Sequence, residues 1–170
     1  MHNENIVSDL VFKQLMLEED NMSCFDCSTP SPQWASVNNG SYICMNCAAL
    51  HRSLGAHVSF VKSLSMDNWN EKQLRLMALG GNKNLKEFNS NYDLADENVQ
   101  LRYNTRAADF YRLKLRCISE MMSFDEEKPT YDAGREQISA EDMRSSDSAF
   151  REEQEINSSL PPQRETDLLS

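Results

Sequence analysis

Four of the five cysteines stand in two Cys-x-x-Cys pairs, Cys24-Phe25-Asp26-Cys27 and Cys44-Met45-Asn46-Cys47, with 16 residues between the pairs. Two residues between thiolates let each pair bend round a tetrahedral ion at a Zn–S distance of about 2.3 Å. The full spacing is that of a four-cysteine zinc site. A redox role needs one such pair, and a cytosolic chain does not keep disulfides. One structural Zn2+ is therefore expected. With cysteine at all four positions no coordination site is left for catalysis, so the metal holds the fold and the chemistry lies elsewhere. Cys117, the odd one, reads as a small hydrophobe on a helix face. Four residues separate Cys47 from Arg52. By composition alone Arg52 reads as an ordinary surface or salt-bridged arginine. His51 and His57 are superfluous as ligands once four cysteines fill the shell. Neither Gly-x-Ser-x-Gly nor a phosphate-binding glycine loop occurs, so a nucleophile of the chain's own is unsupported.

The elements that must position these residues are short. Val7, Leu10, Val11 and Leu15 recur at helical spacing, which predicts a helix over 3–19 with those residues inward. Asn38-Asn39-Gly40 lies between Trp34-Ala35-Ser36-Val37 and Ser41-Tyr42-Ile43-Cys44, a β-hairpin signal that would bring the second cysteine pair beside the first. Residues 45–54 read as a helix stopped at Gly55, 58–61 as a strand, and 70–79, 82–91, 96–103 and 105–122 as helices. The last has Thr105 as N-cap and Ala108, Tyr111, Leu115 and Ile118 as its inner face. The expected fold is α+β and mostly helical, a small four-cysteine hairpin module packed against several helices.

Charge divides the chain. Of 170 residues, 17 are Lys or Arg and 27 Asp or Glu, a net charge of −10. Residues 1–123 carry 14 acids and 12 bases, whereas 124–170 carry 13 acids and 5 bases with few large apolar residues. A folded domain over 1–123 and a flexible acidic tail over 124–170 are expected, with a helix allowed within 139–156 and residues 130–170 dispensable for activity in solution. The acidic balance argues against nucleic-acid binding, and DNA-binding zinc fingers of similar spacing need a basic region where this chain offers only Arg52 and Lys62 between 48 and 70. Lys62, Lys72, Arg75, Lys83, Lys86, Arg102 and Arg106 read as solvated faces. No apolar run approaches the roughly 20 residues of a membrane helix, and the N-terminus has neither secretory-signal character nor a glycine for myristoylation.

The pattern Cys-x2-Cys-x16-Cys-x2-Cys-x4-Arg resembles the signature of the Arf GTPase-activating proteins. Further blocks agree: Pro32-Gln33-Trp34-Ala35-Ser36-Val37, the stretch from His51-Arg52-Ser53-Leu54-Gly55 to His57-Val58-Ser59-Phe60-Val61-Lys62-Ser63, Met66-Asp67-Asn68-Trp69, Gly80-Gly81-Asn82 and Tyr103-Asn104-Thr105-Arg106. The resemblance covers about 8–120, is nearest the Golgi branch, and departs at Ala49, where many members have glycine. It implies a GTPase activator with no catalytic site of its own, supplying Arg52 in trans to a GTP-bound Arf-family GTPase that contributes its own GTP and Mg2+. It also implies contact with the partner by Trp34, Asp67 and His51. Their plainer readings are core packing of the zinc hairpin for Trp34 and an acid at a helix N-terminus for Asp67. A cytoplasmic monomer recruited transiently to Golgi membranes, controlling coated-vesicle transport and in touch with coat proteins, is the implied setting. The alternative is a zinc-scaffolded module that docks Arf or coat proteins without stimulating hydrolysis.

Overall fold

A computed structural model describes residues 2–143. Its centre is a three-stranded antiparallel sheet in the order β2-β1-β3, formed by β1 (Trp34–Ser36), β2 (Ser41–Ile43) and β3 (Val61–Ser63). Trp34 pairs with Ile43 on one side and Ser63 on the other. The expected hairpin is therefore present, but the third strand lies at 61–63 rather than 58–61. Residues 55–59 are used in a turn closed by Ser59 N–H donating to the Gly55 carbonyl (2.9 Å), so pairing with β1 starts later. The hairpin tip is buried rather than solvated. Gly40 has φ +60°, and a Cβ on it would meet the Gly80 Cα and Leu115 Cδ2, both at 3.0 Å, so the tip lies against other backbone and needs glycine on two counts.

Helices surround the sheet. They are α1 (His2–Leu15), α2 (Met45–Ser53), α3 (Glu71–Leu79), α4 (Asn82–Ser90), α5 (Val99–Tyr103), α6 (Arg106–Ser119) and α7 (Tyr131–Arg135), with short 3-10 turns at Glu19–Met22 and Ala140–Asp142. Local sequence explains several ends. Asn70 and Gln73 form a reciprocal capping box on α3, and Thr105 caps α6 by accepting the Ala108 N–H. Phe12, Tyr42, Trp69, Leu76, Leu85, Phe88, Phe110, Tyr111 and Leu115 belong to the main core. Two inner faces differ from expectation. In α1 the buried side is Ser8 and Phe12 with Leu15 half-buried, while Val7 and Leu10 face outward. Phe12 stands edge-on to Trp69 at 4.7 Å, and this large ring sets the helix rotation. In α6, Ala108, Tyr111 and Leu115 are buried as expected but Ile118 is exposed.

The boundary expected at 123 lies too early, because residues 124–143 pack onto the domain. Phe124 meets Phe110 edge-on at 5.3 Å, Tyr92 Oη donates to the Pro129 carbonyl (2.7 Å), and Arg135 reaches Glu97 (2.6 Å). Gln137 bridges to Thr105, and Met143 is buried beside Val58 and Tyr103. Most of the segment is polar, so its docking rests on hydrogen bonds to distant loops and two or three apolar anchors. The region expected to be helical within 139–156 shows the 3-10 turn Ala140–Asp142, and from 144 onward it lies outside the described residues.

Candidate metal centre and the exposed arginine

The first cysteine pair sits in a tight knuckle. Cys24 N–H donates to the Thr29 carbonyl (2.7 Å), Ser28 N–H donates back to the Cys24 carbonyl (2.9 Å), and Phe25 N–H ties the knuckle to the Tyr42 carbonyl on β2 (2.9 Å). The second pair begins α2: Cys44 is its N-cap, and its sulfur accepts the Cys47 N–H (3.4 Å). The hairpin brings the pairs together as expected, and the four Sγ atoms lie within 4.8 Å of one another. A tetrahedron with metal–sulfur bonds of about 2.3 Å has edges of about 3.8 Å, so the cluster matches a four-sulfur ion site. Electrostatics agree. Burial pushes the Cys24 and Cys47 thiols up, whereas the Thr29 hydroxyl and backbone bring Cys27 down to about 6. Four sulfurs this close, two of them buried, cannot all ionise unless a cation offsets them. Cys117 is half-buried on α6.

Arg52 projects from the last turn of α2 and is exposed. Its guanidinium carbon lies 4.8 Å from the centroid of the Trp34 ring, a cation–π contact. Trp34 is half-buried and packs on the Cys24, Ile43 and Cys47 cluster, so the core-packing reading of this residue holds while its other side meets Arg52. Asp67 is exposed and accepts the Ser63 N–H through Oδ2 (2.7 Å). It closes the turn after β3 and stands ahead of α3, which begins at Glu71 with Asn70 as its N-cap. Because Ser63 pairs with Trp34, the sheet places Asp67's turn at the same end as Trp34 and Arg52.

His51 does not present itself to a partner. It is wholly buried, with Nε2 2.5 Å from Asp26 Oδ2 and Nδ1 2.6 Å from Ser59 Oγ. Helical rotation explains the correction: one residue before an outward arginine, the side chain turns about 100° toward the sheet. Asp26 is the residue that the sequence reading missed. Burial would raise its carboxyl, but hydrogen bonds from His51 and Tyr103 and the Arg102 charge outweigh that and hold it below the usual carboxylate range. Its only sequence signal is an acid inside a Cys-x-x-Cys pair. Lys62 and Arg102 are likewise buried, not solvated. Lys62 donates to the Asn68 carbonyl and to Gln73 Oε1 (2.9 Å), and Arg102 donates to Asp26 Oδ1 (2.5 Å) and to the carbonyls of Leu94, Ala95 and Glu97.

Fold and site together define a four-cysteine knuckle domain that carries an exposed arginine on the helix leaving the knuckle. Residues 9–120 match the ArfGap family, described as "Putative GTPase activating protein for Arf", and the chain belongs to that family. ADP-ribosylation factor GTPase-activating protein 3 of Mus musculus is 41% identical over 110 residues, which are 64% of this chain and 21% of that protein. ADP-ribosylation factor GTPase-activating protein GCS1 of Saccharomyces cerevisiae is 40% identical over 118 residues, 68% of this chain and 33% of that protein. The chain thus spans about a fifth to a third of the length of these curated relatives. A crystal structure of a Cryptosporidium parvum protein, assigned likewise to GTPase activation on ADP ribosylation factor, superimposes with a TM-score of 0.56. It is 27% identical and covers 69% of this chain and 91% of that one.

Proposed function

We propose that this chain activates GTP hydrolysis by an Arf-family GTPase, with Arg52 as the group it lends to the GTPase's nucleotide. The observation that carries the reading is the setting of Arg52. It is exposed, close behind a rigid cysteine knuckle, and its planar head is held over Trp34. Negative charge gathers on the phosphoryl oxygens in the transition state. A guanidinium aimed there stabilises it by two directed hydrogen bonds, an effect worth about 10³–10⁵ in rate in other GTPases. Cys24, Cys27, Cys44 and Cys47 would hold one Zn2+, whose part is to fix the knuckle and the start of α2. GTP, Mg2+ and the attacking water belong to the partner, so the chain brings no catalytic site of its own. Trp34 and Asp67 flank Arg52's end of the sheet and are the side chains offered for partner contact, and His51 acts from behind. The reading extends to the Golgi coated vesicles that the sequence resemblance implies, with transient membrane recruitment and coat-protein contact. Among the described residues no helix is long and apolar enough to cross a membrane.

The test is single-turnover hydrolysis by a GTP-loaded Arf protein with the wild-type chain and with Arg52→Lys, matched for zinc content and melting. Lysine keeps the charge and loses the planar fork. The wild type is expected to accelerate hydrolysis, and the variant to lose at least about 10² of that acceleration. A wild type that binds Arf and leaves hydrolysis unchanged would turn the assignment to a docking module.

A further inference from the structure

We propose that Asp26, acting through His51, is a positioning residue for Arg52. The inference rests on the reading of Arg52 as the arginine lent to the GTPase. α2 has nine residues, and its first turn is held by Cys44 and Cys47. Its last turn, which carries Arg52, lies beyond the reach of the cysteine cluster and ends at Gly55, whose φ of +90° breaks the helix. The chain of contacts that pins that turn runs through His51. The imidazole is clamped at both nitrogens, by Asp26 Oδ2 at 2.5 Å and Ser59 Oγ at 2.6 Å, and Tyr103 stands edge-on to it at 4.6 Å. Asp26 is fixed in turn at its other oxygen by Arg102 (2.5 Å) and the Tyr103 hydroxyl (2.8 Å).

The same chain of contacts reaches the other half of the cation–π pair. Ser59 Oγ lies 2.7 Å from Ser36 Oγ on β1, and Asn39 Nδ2 donates to Ser36 Oγ at 2.8 Å. Ser36 is two residues from Trp34, so both point to one face of the strand. Thus Asp26, His51, Ser59 and Ser36 form one buried line that sets the height of α2's last turn against the strand bearing Trp34. Burying a carboxylate and an imidazole this deeply is a poor way to gain stability, because apolar residues of the same volume would pack the knuckle as well. Directed bonds at both ends of a ring do what apolar packing does not: they fix the rotation of the helix turn. A misplacement of about 1 Å at a catalytic group can lower a rate by about 10².

The test uses the whole chain with His51→Asn, His51→Gln and Asp26→Asn, each checked for zinc content and melting. A glutamine amide reaches the place of Nε2 and keeps the bond to Asp26, whereas asparagine reaches only the place of Nδ1 and keeps the bond to Ser59. In single-turnover hydrolysis on GTP-loaded Arf, His51→Asn and Asp26→Asn are expected to lower the maximal rate at least about tenfold. The half-saturating concentration should stay within about threefold, and His51→Gln should recover most of the rate. A second readout needs no GTPase: the Arg52 Nε–H resonance, shifted by the Trp34 ring, is expected to lose that shift in His51→Asn and Asp26→Asn and to keep it in His51→Gln. Native rates in all three variants, a loss shared equally by His51→Gln, or a change confined to the half-saturating concentration would overturn the proposal. If the wild type does not accelerate hydrolysis, the activator reading falls and the resonance alone decides the positioning claim. A shift retained in folded Asp26→Asn then refutes it. If Asp26→Asn does not fold, the His51 pair decides by the same two readouts.

Discussion

Asn82 shows how much one side chain holds. Its Oδ1 accepts the Tyr42 N–H (2.8 Å), its Nδ2 donates to the carbonyls of Asp20 and Ser23 (3.0 Å each), and its own N–H donates to Asn21 Oδ1 (2.9 Å). One buried amide thereby joins β2, the approach to the cysteine knuckle and the start of α4. Alanine there would leave a buried donor and two carbonyls short of partners, each worth about 1–3 kcal/mol. Asn82→Ala is expected to lower unfolding free energy by at least about 2 kcal/mol in urea titration of the zinc-loaded chain. A change below about 0.5 kcal/mol would mean that water replaces the amide. His51 makes the same point about Arg52. Neighbours in sequence, they face opposite ways, one wholly buried and one exposed, so substituting one tests positioning and substituting the other tests chemistry.

At the scale of elements, α1 separates pattern from packing. Its apolar spacing points to Val7 and Leu10, yet these are 53% and 62% exposed while Phe12 is 5% exposed. The helix lies on the body by its second half, where Phe12 meets Trp69 and Tyr42. Phe12→Ala is expected to cost about 3–5 kcal/mol, the range for emptying an aromatic site in a core. Leu10→Ser should stay within about 0.5 kcal/mol. Chemical denaturation of the two variants side by side checks both, and the reverse order would mean that the helix packs by its sequence-predicted stripe. The strand β3 makes a parallel case: its apolar run starts at Val58, but pairing starts only where the backbone leaves the Gly55 turn.

For the whole molecule, the cysteine cluster and the segment 124–143 are the two staples. The four sulfurs come from two segments that the hairpin brings together, so an ion bound there would close the module, and its binding free energy would be folding free energy. Removing metal with a strong chelator is expected to abolish the cooperative thermal transition, and added Zn2+ to restore it. An unchanged melting curve in the metal-free sample would show that the core holds by itself. The second staple bears on stability, a separate matter from the expected dispensability of 130–170 for activity in solution. Burial of Met143 is worth about 1.5–3 kcal/mol, and Phe124 and Arg135 add further contacts. A chain ending at 123 is therefore expected to melt about 5–10 °C below one ending at 143. Equal melting temperatures would return the boundary to 123.

The sequence by itself determined the features that depend on near neighbours. The Cys-x-x-Cys pairs declare a four-sulfur site because two residues of separation set the bite of each pair. The Asn-Gly turn declares the hairpin, and Asn70 and Thr105 mark where helices start by the side-chain oxygen each offers to the next turn. The family blocks around Arg52 are legible for the same reason, being runs of adjacent residues. Tertiary structure alone decided which polar groups go inside. Asp26 meets His51 25 residues away and Tyr103 77 residues away, and Lys62 and Arg102 are buried because carbonyls of other segments converge on them. Composition counts such side chains as surface, since burying a charge is unfavourable until its partners are in place, and those partners are assembled only by the fold. The same holds for 124–143, too polar to fold by its own apolar content and ordered by carbonyls and rings that the finished domain presents to it.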